Sequence, residues 1–225
     1  MGSIPTAPTN SIKQTIMLTN LSSIKFIGDL SLQDADVLSE YGKKSKTVLE
    51  FGVGGSTQIL SQCGCESITC IETDPYWIDL TSKRLAQIDN ASKVEFFSYD
   101  QLDAVVADKQ YDLIFVDGID YLRRDFAVKT WQNLKVNGIM LFHDTRRFED
   151  FQNSTWVAQL YFNEISKIDV NIAASNGKSS NMTIIHKKSF EPWENWNYTE
   201  NKPLWAYGKE PKVEDLPLWH QHNRI

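Results

Sequence analysis

Carboxylates stand at the ends of the first five apolar runs in this chain. They are Glu50, Glu72, Asp100, Asp117 and Asp144, and each follows a run with the length and residue types of a buried strand. If these runs are parallel strands of one sheet, their carboxyl ends meet at the same edge. Carboxylates gathered there can accept hydrogen bonds from hydroxyl groups, hold a cation or transfer a proton.

A glycine-rich turn accompanies the first of these carboxylates. The stretch 47–57 reads TVLEFGVGGST, a short strand followed by Gly52, Gly54 and Gly55 and then by the start of a helix. Glycine has no Cβ and tolerates positive φ, so such a turn can bring backbone N–H groups against a ligand. Glu72 ends the next strand, at about the 20-residue spacing at which nucleotide-binding folds place a ribose-binding acid. Together these features predict a nucleoside-binding βαβ unit.

The elements that must position these residues alternate between strands and helices. Further strands are predicted at 67–72, 94–99, 111–116 and 139–142, with two more near 170–174 and 182–186 on either side of a turn at Asn176-Gly177. Apolar residues at helical spacing predict helices through 37–41, 59–60, 77–85, 122–134 and 156–165. This alternation predicts an α/β fold with a doubly wound, mostly parallel sheet and a ligand crevice at the carboxyl ends of its strands.

Composition and charge narrow the class of protein. The chain has 225 residues, of which 41% are hydrophobic, and its 23 basic and 29 acidic residues give a net charge of -6. This balance argues against a broad nucleic-acid-binding surface, and no apolar run approaches the roughly 18 residues that a membrane span requires. Three cysteines, Cys63, Cys65 and Cys70, lack zinc-site spacing and are expected to be free thiols in a reducing compartment. We therefore expect a cytoplasmic protein with neither nucleic acid nor membrane as its partner.

The chain divides into three predicted parts. Residues 1–28 form an N-terminal arm, residues 29–188 the ligand-binding domain, and residues 189–225 a Trp- and Pro-rich C-terminal extension. The extension carries Trp193, Trp196, Trp205 and Trp219 without any helical or strand period. Exposed indoles are unfavourable in water, so the extension is predicted to pack on the domain or on a partner subunit of a homodimer, or else to line a substrate pocket.

The glycine turn also carries a family resemblance. The pattern E-x-G-x-G-G-S-T at 50–57 resembles the first motif of the class I S-adenosylmethionine-dependent methyltransferases, and Glu72 matches the acid of their second motif. Two later blocks, FVDGIDYLRRD at 115–125 and NGIMLFHDT at 137–145, are similar to a small-molecule or sugar O-methyltransferase-like group in this family. Members of that group often read F-[IV]-D-G-D-H-x-Y, then G-G, then HDT.

The resemblance covers roughly residues 48–145. It implies a Rossmann-like class I methyltransferase fold and S-adenosylmethionine as cofactor, but it does not identify the acceptor. Ile119-Asp120 replaces the Asp-His of the group's pattern, so the role of that histidine cannot be carried over.

The resemblance assigns each part of the cofactor to residues of this chain. The glycine turn would admit the methionine part, with Glu50 orienting its ammonium group, and Glu72 would accept hydrogen bonds from both ribose hydroxyls. Asp100 would receive the adenine amino group with Gln101 or Tyr99 beside it, and Asp117 would lie next to the methyl sulfonium. The predicted cofactor-binding residues are Glu50, Phe51, Gly52, Gly54, Gly55, Ser56, Thr57, Glu72, Thr73, Asp100, Gln101, Asp117 and Gly118.

Two catalytic arrangements are open at the ends of the fourth and fifth strands. Methyl transfer is an in-line displacement, and an oxygen or nitrogen acceptor must also lose a proton. His143, with Asp144 and Asp117 beside it, could supply the base. Alternatively, Asp117, Asp144 and Thr145 could hold Mg²⁺, which prefers oxygen ligands and lowers the pKa of a bound hydroxyl. Catechol-type O-methyltransferases have Asp-Asn where this chain has Asp144-Thr145.

Arginines near these strand ends suggest the nature of the acceptor. Arg146 and Arg147 follow the HDT block, and guanidinium groups suit carboxylates and phosphates, so an anionic or sugar-like small molecule is expected. Arg123 and Arg124 are expected to be solvated surface charges.

The predicted function is methyl transfer from S-adenosylmethionine to an oxygen of a small molecule or sugar. One alternative is a nicotinamide-dinucleotide-dependent oxidoreductase, although Thr57 stands where G-x-G-x-x-G requires glycine. The other is a non-catalytic nucleoside-binding or interaction module.

Overall fold

The computed structural model describes residues 18–191, which form a seven-stranded sheet in the order β3-β2-β1-β4-β5-β7-β6. Strands β1 to β5 are parallel, whereas β7 is antiparallel to both of its neighbours, β5 and β6. The strands are β1 Thr47–Phe51, β2 Ser67–Ile71, β3 Lys93–Phe97, β4 Tyr111–Val116, β5 Leu134–Phe142, β6 Ile165–Asp169 and β7 Thr183–Lys187. The predicted α/β fold with a mostly parallel sheet is confirmed. The predictions for residues 1–17 and for the tryptophans of the C-terminal extension lie outside the described residues.

Six α-helices of the described chain connect these strands. They are α1 Leu32–Gly42, α2 Gly55–Ser61, α3 Pro75–Leu85, α4 Leu102–Val106, α5 Arg123–Thr130 and α6 Phe148–Leu160. Short 3₁₀ turns lie at Thr19–Leu21, Tyr99–Gln101, Asp120–Leu122, Trp131–Asn133 and Phe162–Glu164. The side chain of Ser31 caps α1, and that of Asp74 caps α3 at 2.9 Å from the Tyr76 N–H, with Pro75 in the first turn. Within 18–191, no helix is both long and apolar enough to span a membrane.

Alternate residues of each central strand point to two separate apolar cores. Val48 faces the core built with α1 and α2, whereas its neighbour Leu49 faces the core built with α4, α5 and α6. Leu113 and Ile114 of β4 divide in the same way. The sheet is therefore covered on both faces, as parallel sheets require, and its functional groups are confined to the strand ends.

The prediction of a strand near 170–174 is wrong. The strand lies earlier, at Ile165–Asp169, and Ile165 therefore does not belong to the preceding helix, which ends at Leu160. Of the predicted stretch, only Ala173 pairs, in an isolated bridge with Ser179 around the turn at Asn176-Gly177. Strand β6 lies at the edge of the sheet and is mostly exposed, so its polar residues obscure the strand pattern. Similarly, Leu134 begins β5 and does not end a helix.

Gly52 and Gly118 lie back to back where the neighbouring strands β1 and β4 end. Their φ angles are +80° and +76°. A Cβ on Gly52 would stand 2.6 Å from the backbone nitrogen of Gly118, and one on Gly118 would stand 3.0 Å from the nitrogen of Gly52. Both positions therefore require glycine, for conformation and for space.

The segment before α1 crosses the glycine turn. A Cβ on Gly28 would lie 2.2 Å from Cα of Gly55, and a Cβ on Gly55 would lie 2.8 Å from the carbonyl oxygen of Ile27. Leu18, Leu21, Ile24 and Ile27 of this segment pack against the core that contains α1 and α2. Gly55 is thus needed for chain packing as well as for any approach of a ligand.

We expect Gly52→Ala to destabilise the fold more than Gly64→Ala. The two glycines have matching φ angles of +80° and +81°, but a Cβ on Gly64 would meet nothing within 4 Å. Both variants lose roughly 1 kcal/mol from the left-handed backbone, and Gly52→Ala should lose about 2 kcal/mol more from the contact with Gly118. Urea unfolding followed by circular dichroism measures both values. Equal losses in the two variants would contradict the contact.

Candidate functional site

A cleft of about 480 Å³ lies at the carboxyl ends of the central strands. It combines the glycine turn after β1, the residues that follow β2 and the ends of β4 and β5. The predicted site residues that line it are Gly52, Gly54, Gly55, Ser56, Glu72, Thr73, Asp117, Gly118 and His143. The structure therefore brings half of the predicted site residues together around one concave space of the size typical for small ligands.

Backbone hydrogen bonds orient the carboxylate of Glu72, which directly follows β2. The backbone N–H groups of Thr73 and Asp74 donate to its Oε1 at 2.7 and 2.9 Å. Its own backbone N–H donates to the carbonyl oxygen of Phe97 at 2.9 Å, which fixes the chain just beyond the strand. These bonds orient the carboxylate at the cleft wall, and its second oxygen can accept from a ligand.

Three predicted residues of the glycine turn lie beneath the cleft and do not line it. Phe51 is fully buried and stacks on Phe126 with ring centroids 4.1 Å apart. Thr57 is also buried, and its Oγ1 accepts from the N–H of Gly54 at 3.0 Å. This threonine therefore braces the turn at the position where a dinucleotide motif has its third glycine.

Glu50 is the third of these buried residues. It is 0% exposed, the thiol of Cys70 donates to its Oε2 at 3.2 Å, and its Oε1 has no hydrogen-bond partner in the described part of the chain. Burial raises the pKa of the Glu50 carboxyl to about 7. Glu50 therefore does not line the cleft.

Asp100 and Gln101 are exposed in the turn after β3 and do not line the cleft. The Ser98 hydroxyl donates to Asp100, and the Ser98 N–H donates to Oε1 of Gln101 at 3.0 Å. Tyr99, which precedes them, lines a smaller recess together with Glu72 and Gly118. The structure therefore brings Tyr99 to the site but not Asp100 or Gln101.

His143 ends β5 among three carboxylates. Its Nδ1 lies 3.1 Å from Oδ2 of Asp117 and 3.7 Å from Oδ1 of Asp144, and its Nε2 lies 3.7 Å from Oδ2 of Asp34. Burial alone would lower the pKa of His143, but the bonds to Asp117 and Asp34 and the surrounding negative charge raise it to about 10. The imidazole therefore holds its proton at neutral pH, which does not support the predicted role as a general base.

Arg123 is buried, so its prediction as a solvated surface charge is wrong. Its Nη2 donates to Oδ1 of Asp117 and its Nη1 to Oδ1 of Asp150 at 2.8 Å, with Oδ2 of Asp144 at 3.5 Å. The guanidinium thus joins the ends of β4 and β5 to the first turn of α6. Burial of a charge is tolerated here because each side of the group meets carboxylates.

Both arginines of the Arg146-Arg147 pair have partners within the protein. Arg147 lies 2.7 Å from Asp150, 3.1 Å from Asp144 and 3.1 Å from Asp120. Arg146 donates from its guanidinium to the carbonyl oxygen of Ser179 at 2.9 Å. The structure therefore uses both side chains to hold the strand ends together.

Thr145 does not join the predicted metal ligands. The structure does bring Asp117, His143 and Asp144 together, with their ligand atoms within 4.8 Å of one another. Thr145, however, is buried, and its hydroxyl donates to Oδ1 of Asn171 at 3.0 Å and accepts from the Thr183 hydroxyl at 2.9 Å. Asp144 adopts a φ of +59°, so the backbone reverses between the two residues and sends their side chains to different places.

Several residues of the site were not predicted. Asp29, Leu30 and Trp77 line the cleft, and Asp34 reaches His143 from α1. Asp29 and Leu30 come from the segment that crosses the glycine turn, and no local motif marks such a crossing. Trp77 lies in the first turn of α3, which Asp74 caps, and no sequence motif marked this helix start as part of the cleft.

Comparison with known proteins supports the fold. No family model matches the sequence, and a search of curated proteins finds no match. Among solved structures, an O-methyltransferase from Bacillus cereus in complex with SAH is 15% identical, with a TM-score of 0.58 over 75% of this chain and 87% of that one. The O-methyltransferase TomG from Streptomyces achromogenes, in complex with SAM, is 14% identical, with a TM-score of 0.55 over 71% of this chain and 82% of that one.

The N-methyltransferase NodS from Bradyrhizobium japonicum also matches, with 16% identity and a TM-score of 0.50 over 69% of this chain and 94% of that one. At such low identities these likenesses establish the fold alone. The chain has the Rossmann-like class I methyltransferase fold, and similar folds carry both O- and N-methyltransferases.

We expect His143 to remain an imidazolium from pH 6 to pH 8.5 and to titrate near pH 10. Its ¹⁵N resonances, assigned by comparison with His143→Gln, report the protonation state directly. Asp34→Asn removes the carboxylate facing Nε2 and should lower the pKa by about one unit. Titration of His143 near pH 6.5 in the wild-type protein would contradict stabilisation of the imidazolium by Asp117, Asp144 and Asp34.

Glu50 should make folding less stable as the pH rises. Its carboxyl has a pKa of about 7 when folded, against an ordinary value of 4.5, so its contribution is lost as the pH rises between these values. We compare the free energy of unfolding of Glu50→Gln with that of the wild type. From pH 4.5 to above pH 7, this difference should shift by about 3 kcal/mol in favour of the variant. Denaturant titrations at both pH values measure this gap, and a gap independent of pH would show that Glu50 is not buried as a neutral acid.

Proposed function

We propose that this chain is an S-adenosylmethionine-dependent methyltransferase that acts on an oxygen of a small molecule or sugar. The proposal rests mainly on the cleft, in which the glycine turn and the oriented carboxylate of Glu72 lie beside Asp117. This arrangement offers hydrogen-bond acceptors for ribose hydroxyls and, further along, negative charge for a sulfonium. The fold and the cofactors named for its structural neighbours point the same way.

In the proposed complex, Glu72 accepts from the ribose, and Gly52 and Gly54 leave room for the methionine part. Tyr99 and its recess replace Asp100 and Gln101 as the proposed neighbours of the adenine. Asp117 lies at the end of the cleft with its pKa lowered: burial would raise it, but the bond from His143 and the charges of His143 and Arg123 outweigh burial. An ionised Asp117 stabilises the methyl sulfonium electrostatically.

We propose an uncharged, hydroxyl-bearing acceptor, and not an anion. Arg147 already pairs with Asp120, Asp144 and Asp150, and Arg146 donates to a carbonyl oxygen, so the cations expected to bind an anionic acceptor are engaged. Asp29 and Asp117 also line the cleft, and their negative charge would repel an anion. His143 holds its proton, and both oxygens of Asp117 already accept from Arg123 and His143. We therefore assign removal of the acceptor proton to water.

A nicotinamide-dependent oxidoreductase fits less well. The common dinucleotide-binding sheet has the order 3-2-1-4-5-6, whereas this sheet inserts the antiparallel β7 between β5 and β6. Thr57 braces the turn from below, at the position where the dinucleotide pattern needs its third glycine. A cytoplasmic location and a homodimer remain proposals that follow from the sequence.

Calorimetric titration with S-adenosylmethionine, S-adenosylhomocysteine and NAD tests the proposal. We expect micromolar binding of the first two and none of NAD. Glu72→Ala should weaken S-adenosylhomocysteine binding by about 100-fold, equivalent to about 2.7 kcal/mol. The control Glu66→Ala removes an exposed carboxylate that pairs with Lys46 outside the cleft, and it should bind like the wild type.

Binding of NAD alone would overturn the methyltransferase proposal. Absence of binding by all three ligands would favour an interaction module. Equal affinities of Glu72→Ala and Glu66→Ala would remove Glu72 from the cofactor site.

A further inference from the structure

We infer that the guanidinium of Arg123 takes the place of a divalent metal ion among the carboxylates at the ends of β4 and β5. The acidic cluster thus already holds a cation of the chain itself, and Mg²⁺ has no binding site there. The inference depends on the proposed function only for its catalytic meaning, because metal binding can be measured independently of methyl transfer.

All four carboxylate oxygens of Asp117 and Asp144 already have N–H donors. Asp117 accepts from Arg123 at Oδ1 and faces His143 Nδ1 at 3.1 Å from Oδ2. Asp144 accepts from Asn181 Nδ2 at 2.9 Å at Oδ1, and its Oδ2 lies 3.1 Å from Nη2 of Arg147. Mg²⁺ requires near-octahedral oxygen ligands at about 2.0–2.1 Å. An ion that took any of these oxygens as a ligand would therefore compete with a donor that is already there.

Arg123 cannot readily move aside to admit an ion. Its side chain is 5% exposed, and its Nη1 donates to Asp150 at 2.8 Å. Its Nε and Nη2 donate to the carbonyl oxygen of Gly118 at 3.3 and 3.1 Å. A guanidinium never loses its charge in proteins, so a divalent ion at this cluster would meet a fixed positive charge at close range.

The remaining candidate ligands do not complete a metal site. His143 directs Nδ1 at Asp117, and the hydroxyl of Thr145 is turned into the core. The residues present therefore do not fit Mg²⁺, and no step of methyl transfer is assigned to a metal.

Arg123 instead acts as a positioning residue. By bonding Asp117, Asp150 and the carbonyl oxygen of Gly118, it fixes the end of β4 against α6. It holds the Asp117 carboxylate at the cleft wall, which is the task that a shared metal ion would perform for several carboxylates.

Manganese is the probe, because Mn²⁺ prefers oxygen ligands as Mg²⁺ does and is detected by its own paramagnetic resonance spectrum. We expect no bound Mn²⁺ in the full-length wild-type protein at millimolar concentrations. S-adenosylhomocysteine affinity should be the same in EDTA as in Mg²⁺. Wild-type Mn²⁺ binding that Asp144→Asn abolishes would overturn the inference.

Replacement of Arg123 tests whether its guanidinium keeps divalent ions from binding. Arg123→Met removes the buried cation from among these carboxylates and should raise Mn²⁺ affinity by roughly tenfold or more. Arg124→Met is the matched control, because Arg124 is exposed and its carboxylate contact is Asp125 at 3.8 Å. Unchanged affinity in a folded Arg123→Met protein would count against the inference.

If Arg123→Met does not fold, Arg147→Met serves in its place. The Arg147 side chain is 48% exposed, and its loss frees Oδ2 of Asp144 from one donor, so a smaller gain in Mn²⁺ affinity is expected. S-adenosylhomocysteine binding in the same samples separates the two proposals. A wild-type protein that binds neither S-adenosylhomocysteine nor Mn²⁺ would contradict the proposed function and would leave the metal inference supported.

Discussion

The contact between Gly52 and Gly118 is the constraint on which the cleft depends. These residues follow β1 and β4, the neighbouring strands at the centre of the sheet, and the backbones of both leave their strands with positive φ. Any side chain at either position would push the two chain segments apart. With both as glycine, the turn after β1 and the carboxylate of Asp117 lie side by side, and a single ligand can reach both.

The carboxylates near this contact are paired with cationic side chains. The carboxylates at the ends of β4 and β5 do not face water as free anions, because Arg123, Arg147 and His143 lie among them. Such a network is costly to bury unless its members are hydrogen-bonded to one another, and here they are. It fixes the functional edge of the sheet more firmly than loops alone could, and it leaves an excess of negative charge at the cleft.

Local patterns predicted much of this architecture. The apolar runs before Glu50, Glu72 and Asp117 are short and bounded by glycine or acid, so their strands could be recognised from sequence. Strand β6 could not, because an edge strand buries few side chains and its sequence lacks a clear alternation. The side chains of Ser31 and Asp74 cap α1 and α3, and such capping is a local interaction that short sequence patterns encode.

The site was less predictable than the fold, because it depends on contacts between residues distant in sequence. Arg123 resembles a surface residue until α6 brings Asp150 against it. Nothing near Asp29 indicates that its segment crosses the glycine turn, and Thr145 turns inward because of the backbone reversal at Asp144.

The antiparallel strand β7 has a consequence for synthesis of the chain. Strand β5 lies between β4 and β7, and its residues Met140, Leu141 and Phe142 are completely or almost completely buried. Because β7 ends at residue 187, one edge of β5 has no strand partner until that part of the chain has been synthesised. For that interval the nascent chain presents an apolar, unpaired strand, which is the kind of edge that recruits chaperones or other nascent chains.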